Sequence, residues 1–89
     1  MTEFITKLID LTENKKPFKL TLAKPRDKND DLRNVLFRPI RIKDEVQWQA
    51  TFRFKTNDKT KNYPENQMVS MVEEYLNSRF YNADLYTNS

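Results

Sequence analysis

Between Val46 and Lys55 apolar and polar side chains alternate without a break, and no other feature of the sequence limits its possible folds so sharply. Val46, Trp48, Ala50, Phe52 and Phe54 fall on one face of an extended chain. Gln47, Gln49, Thr51, Arg53 and Lys55 fall on the other. A strand of this kind belongs to a sheet with one face packed on a core and one face turned to water, the usual arrangement in antiparallel sheets.

Other segments supply the rest of such a sheet. Phe18, Leu20 and Leu22 alternate with Lys19, Thr21 and Ala23, and Pro25 stops this first strand. The stretch RDKNDD, residues 26 to 31, is a polar loop. A second strand is predicted from about Val35 to Lys43, joined through Asp44 and Glu45 to the strand that begins at Val46. The pair should form an antiparallel hairpin. With no glycine in the chain, a two-residue primed turn is disfavoured, so the loop length stays open. The face of Arg38 stays open with it, because a one-residue shift of register moves every side chain to the opposite face. Asn57 and Asp58 make the next turn, before a short edge strand at 59–63.

Helical periods flank these strands. Phe4, Ile5, Leu8, Ile9 and Leu11 line one face of a helix over residues 3–13, with Thr2 as its cap and an end near Asn14. A second helix, capped by Asn62 or Tyr63 with Pro64 and Glu65 in its first turn, carries Met68, Met71, Val72, Tyr75, Leu76 and Phe80 at three- and four-residue spacing. Residues 82–87 alternate again and read as a last strand. The order α-β-β-β-(β)-α-β predicts an α+β fold in two layers, an antiparallel sheet of four to five strands with both helices on one face. At 89 residues the chain is one domain.

The inventory of reactive side chains is short. No Cys and no His means no disulfide, thiolate nucleophile, imidazole base or Cys/His zinc site. Absence of cysteine suits a cytoplasmic protein. No apolar run reaches the length of a membrane span, and the amino terminus lacks the basic start of a signal peptide. Without glycine there is no Gly-rich phosphate or dinucleotide loop. Glu73 and Glu74 are neighbours on a helix and point about 100° apart, so they make no acid/base pair. RDKNDD lacks the glycine bend of a calcium loop, and no metal site is expected.

Charge is more informative. Residues 15–61 hold 14 Lys+Arg against 6 Asp+Glu, a net of +8, whereas the remainder holds 2 against 7, a net of −5. So uneven a distribution suggests an anionic partner. Arg53 and Lys55 share a strand face with Gln47, Gln49 and Thr51, a mixture suited to phosphates, base edges and 2′-hydroxyls. Lys24, Arg26 and Lys28 lie just past the first strand, and Lys59 and Lys61 follow the third. An uncovered sheet face is polar in any case. Trp48, Phe52 and Phe54 belong to the apolar stripe, so a stacking platform for bases is not expected there.

The segments TLAKPR (21–26), NVLFRPI (34–40), WQATFRFKT (48–56), DKTKNY (58–63) and NADLYT (82–87), in this order, resemble the amino-terminal region of a group of bacterial class I S-adenosylmethionine-dependent methyltransferases. The resemblance runs from about Phe4 to Thr87. It implies a small accessory domain ahead of a catalytic domain, and hence that this chain is the amino-terminal piece of a longer protein. S-Adenosylmethionine and the catalytic residues would belong to that other domain. Among the matching positions Lys24, Arg26, Arg38, Thr56, Thr60, Lys61 and Asn62 become candidates for polar contacts near a substrate. The candidate binding set is Lys24, Arg26, Arg38, Gln49, Arg53, Lys55, Lys59, Lys61 and Asn62, with no catalytic residue among them. Three readings follow: a module that presents RNA or another polyanion to an attached methyltransferase domain, a structural module that docks on that domain or another protein, and a free-standing enzyme. The side-chain inventory argues against the last.

Overall fold

The structure, a computed structural model, describes residues 2–25 and 27–87. Helix α1 (Thr2–Glu13) is followed by β1 (Phe18–Pro25), β2 (Leu32–Ile42), β3 (Glu45–Phe54) and β4 (Asp58–Pro64). A 3-10 turn at Glu65–Gln67 then leads into α2 (Met68–Arg79), and β5 (Phe80–Thr87) closes the chain. The five strands form one sheet in the order β4-β3-β2-β1-β5, and every neighbouring pair is antiparallel. The first four strands are a meander. Helix α2 then carries the chain across the sheet, so that β5 pairs with β1 at the far edge. This is the expected two-layer α+β architecture.

The core lies between the helices and one face of the sheet. Leu8 and Leu11 of α1 and Met68 and Val72 of α2 are buried with Phe18, Leu20, Val35, Phe37, Trp48, Ala50, Phe52 and Leu85 of the strands. The rings do much of the filling. Phe18 stacks on Phe37 at 4.9 Å between centroids and meets Trp48 at 5.6 Å, while Phe52 meets Tyr75 at 5.6 Å. Such aromatic pairs bury large areas per residue, which a chain of this size needs.

Local chemistry sets the element ends. Lys15 stands at φ 55 just past α1. The Lys16 amide donates to the Leu11 carbonyl at 3.0 Å and the Lys15 amide to the Thr12 carbonyl at 3.2 Å. Together these are the two bonds of a Schellman cap, made with lysine where glycine is usual. The Thr12 hydroxyl, buried, donates to the Leu8 carbonyl at 2.7 Å. Lys7 ties the helix to the sheet by donating from Nζ to the Leu85 carbonyl at 3.0 Å.

The hairpin corrects one expectation. Ile42 pairs with Glu45, so the loop is the two residues Lys43 and Asp44, at φ 50 and φ 65. Two positive φ values mark a primed turn, whose twist matches the flanking strands well enough to outweigh the missing glycine. Three boundaries also differ. Phe80 opens β5, paired with Pro25, and is not part of the helix. Thr2 lies inside α1. The 3-10 turn is capped by Pro64, without a side-chain bond from Asn62 or Tyr63. Pro64 supplies the extended backbone that leaves β4 and enters the turn.

Candidate recognition face

The register decides which side chains share the uncovered face. Arg38 pairs with Gln49, which pairs with Asn62, placing the three in one row across β2, β3 and β4. The next row is Lys19, Leu36, Thr51 and Thr60, and the third is Thr21, Asn34, Arg53 and Asp58. Successive rows on one face are about 7 Å apart and neighbouring strands about 4.8 Å apart. Lys19, Arg38 and Arg53 therefore stand in three different rows on three neighbouring strands, among amides and hydroxyls. All three are exposed. Arg38 is held in place, since its Nε donates to Gln49 Oε1 at 2.7 Å.

Two features of this face were invisible to pattern reading. The outward positions of β2 include Leu36, Ile40 and Ile42, of which Leu36 is 37% and Ile42 36% exposed. The alternation of β2 is thus apolar on both sides, and only the register shows which aliphatics face water. The second feature is Asn34, half-buried, whose Oδ1 is inaccessible and accepts no hydrogen bond. It sits where the register shifts between Leu32 and Asn34, with Arg33 as the additional residue of the bulge. Such bulges re-aim side chains at a strand end.

The bulge borders a basic corner. Lys28, Arg33 and Lys55 line a cavity of about 520 Å³ together with Asp30 and Asp31. Asp27 Oδ1 accepts from the Asn29 amide at 2.9 Å, and Asp30 Oδ1 from the Leu32 amide at 3.1 Å, which fixes the loop. The Lys55 amide donates to the Asp31 carbonyl at 3.0 Å and joins the loop to the end of β3. Among the described residues, none of the Lys28, Arg33 and Lys55 side chains is engaged in an ion pair or hydrogen bond.

Of the predicted set, the structure brings Arg38, Gln49, Arg53 and Asn62 together on the open face and puts Lys55 at its basic end. Lys59 and Lys61 do not join them. They pair with Phe52 and Ala50 and so lie on the side of the helices, at the edge of β4. There Lys59 Nζ stands 5.6 Å from the Phe54 ring centre and Lys61 Nζ 5.2 Å from that of Tyr63, and the cations cover the rim of the aromatic core. Arg26, and the side chain of Lys24, lie outside the described residues. The basic middle of the sequence is therefore divided between two faces and two ends.

No group of three or more carboxylates is placed to hold a metal among the described residues. No helix among them is long and apolar enough to cross a membrane. No protein family, curated protein or solved structure matches the chain.

Proposed function

We propose that this chain is a non-catalytic recognition domain whose open sheet face contacts RNA. The observation that carries the reading is the grouping of Arg38, Arg53 and Lys55 with Gln49, Thr51, Thr60 and Asn62 on and beside one uncovered face. Cations supply the contact to phosphates, and amides and hydroxyls supply partners for 2′-hydroxyls and base edges. By the sheet geometry Arg53 stands about 7 Å from Lys55 and about 14 Å from Arg38, comparable to one or two nucleotide steps along a single strand. With the aromatic rings committed to the core, the contact is to backbone and sugar more than to stacked bases. In the context suggested by the sequence resemblance, this domain would present RNA to an attached methyltransferase domain, which would bind S-adenosylmethionine and carry out the chemistry.

Titration of labelled single-stranded RNA at several salt concentrations tests the reading. Three to four phosphate contacts predict a slope of log affinity against log salt of about −2 to −3. Arg38→Ala and Arg53→Ala should each lower affinity and make that slope shallower by roughly 0.7. Absence of binding at low salt contradicts the reading.

A second reading is favoured by Leu36, Ile40 and Ile42, which give the same face an apolar column suited to docking on protein. The two are told apart by Leu36→Ser with Ile42→Ser. This pair should leave the salt slope unchanged if the face binds RNA, and should abolish association with the attached domain if it is a docking surface.

A further inference from the structure

The end of the molecule opposite the basic corner carries a groove of about 790 Å³. Three elements build it: the last turns of α1, the hairpin turn between β2 and β3, and the 3-10 turn with the start of α2. Its apolar lining includes Ile9, Val46 and Val69, and Ile9 is the most exposed large aliphatic among the described residues at 39%. Its carboxylates include Glu13, Asp44 and Glu45, all exposed. Lys15 and Glu65 also line it, but they are bound to each other, with Lys15 Nζ donating to Glu65 Oε1 at 2.5 Å. The same Glu65 oxygen accepts from the indole of Trp48 at 3.4 Å. With one lysine against four acidic residues the groove has a net charge of −3, on a chain whose net charge is +3.

We infer that this groove receives a cationic segment of a partner protein, one aliphatic residue seated against Ile9, Val46 and Val69 and flanking Lys or Arg side chains on Glu13, Asp44 and Glu45. The occupant follows from complementarity. An apolar floor favours an aliphatic anchor, and the excess of carboxylates, with the one lysine paired to Glu65, favours cations over nucleic acid. The site is thereby distinct from the face proposed for RNA, and the chain becomes a two-ended adaptor with opposite charge preferences at its ends. Glu65 is held by Lys15 and Trp48, so it fixes the wall of the groove and leaves the other three carboxylates for the partner.

Trp48 provides the readout, being the sole tryptophan, fully buried and bonded to a groove residue. The full chain is titrated with a short synthetic peptide of one leucine flanked by lysines, following Trp48 emission and heat of binding. Two control peptides replace the lysines by glutamate, or the leucine by serine. Saturable binding of the first peptide is expected, with neither control binding comparably. Glu13→Lys with Glu45→Lys should weaken it at least about tenfold, and Ile9→Asp should do the same from the floor. RNA affinity should fall with neither change, so failure here is separable from failure of the proposed function. Equal binding of the serine control would overturn the inference, because it would leave only diffuse charge attraction. Self-association of the chain that the same substitutions abolish would overturn it too, in favour of a second copy as the occupant. Unchanged far-ultraviolet circular dichroism of the variants ensures that a loss is not unfolding.

Discussion

The two faces of the sheet use the same strands under different rules. On the side of the helices, Phe37 and Ala50 oppose one another with both residues buried, and neighbouring Phe18 and Trp48 complete a packed aromatic layer. One residue along each strand, Leu36 opposes Thr51 and Arg38 opposes Gln49, half-covered or exposed. The covered face can hold the fold together because removing those rings from water stabilises each by a few kcal/mol. The open face contributes little of that kind, so its residues are free to be chosen for what they contact. It also tolerates what a core does not, aliphatics such as Leu36 and Ile42 left partly in water.

Adjacent residues of β2 give the sharpest test of this contrast. Phe37→Ala removes a buried ring stacked on Phe18 and should cost about 3–5 kcal/mol in denaturant unfolding, a large part of the stability of a small domain. Leu36→Ala, one position away and facing outward, should cost no more than about 1 kcal/mol. Similar costs for the two would mean that the open face is not open. Asn34→Val comes next. Replacing a residue whose buried oxygen lacks a partner with a strand-favouring aliphatic should stabilise by about 1 kcal/mol. A net loss would show that Asn34 is satisfied and structural.

The smallest expected effect is at the rim of the covered face. Burial raises the pKa of the Tyr63 phenol above its ordinary 10.0, and the neighbouring Tyr75 adds to the shift. An acid whose folded-state pKa lies above its unfolded value contributes stability that is complete below about pH 10 and is lost as pH rises through the folded value. Tyr63→Phe should therefore flatten the decline in stability above pH 10, measured by unfolding across that range. An unchanged decline would assign it to lysine deprotonation instead.

The covered face was legible in the sequence because alternation reports burial directly: Trp48, Ala50 and Phe52 of β3 are buried, with Phe54 packed at their edge. The two helices and the succession of elements along the chain followed from the same logic, whereas the place of β5 beside β1 did not. The open face was only partly legible. Arg53 and Gln49 could be placed from parity within their own strand, whereas Arg38 depended on a hairpin loop that glycine statistics disfavoured and twist favoured. Lys59 and Lys61 belong to a strand too short and too polar to reveal its inward side, and their rings are supplied by other residues. Phe80 continued a helical spacing but was captured by pairing with Pro25, a long-range contact that local period cannot report. The acidic groove had no sequence signature, since residues 9, 45 and 69 meet only through the fold.

Residue-resolved mapping shows whether the open face is the working face. Backbone amide shifts of the full labelled chain would be followed during addition of single-stranded RNA at low salt. Perturbations are expected to concentrate at Asn34, Arg38, Gln49, Arg53, Lys55 and Asn62, with α1 and the groove silent. Perturbations confined to α1 and α2, or none at any residue, would contradict it.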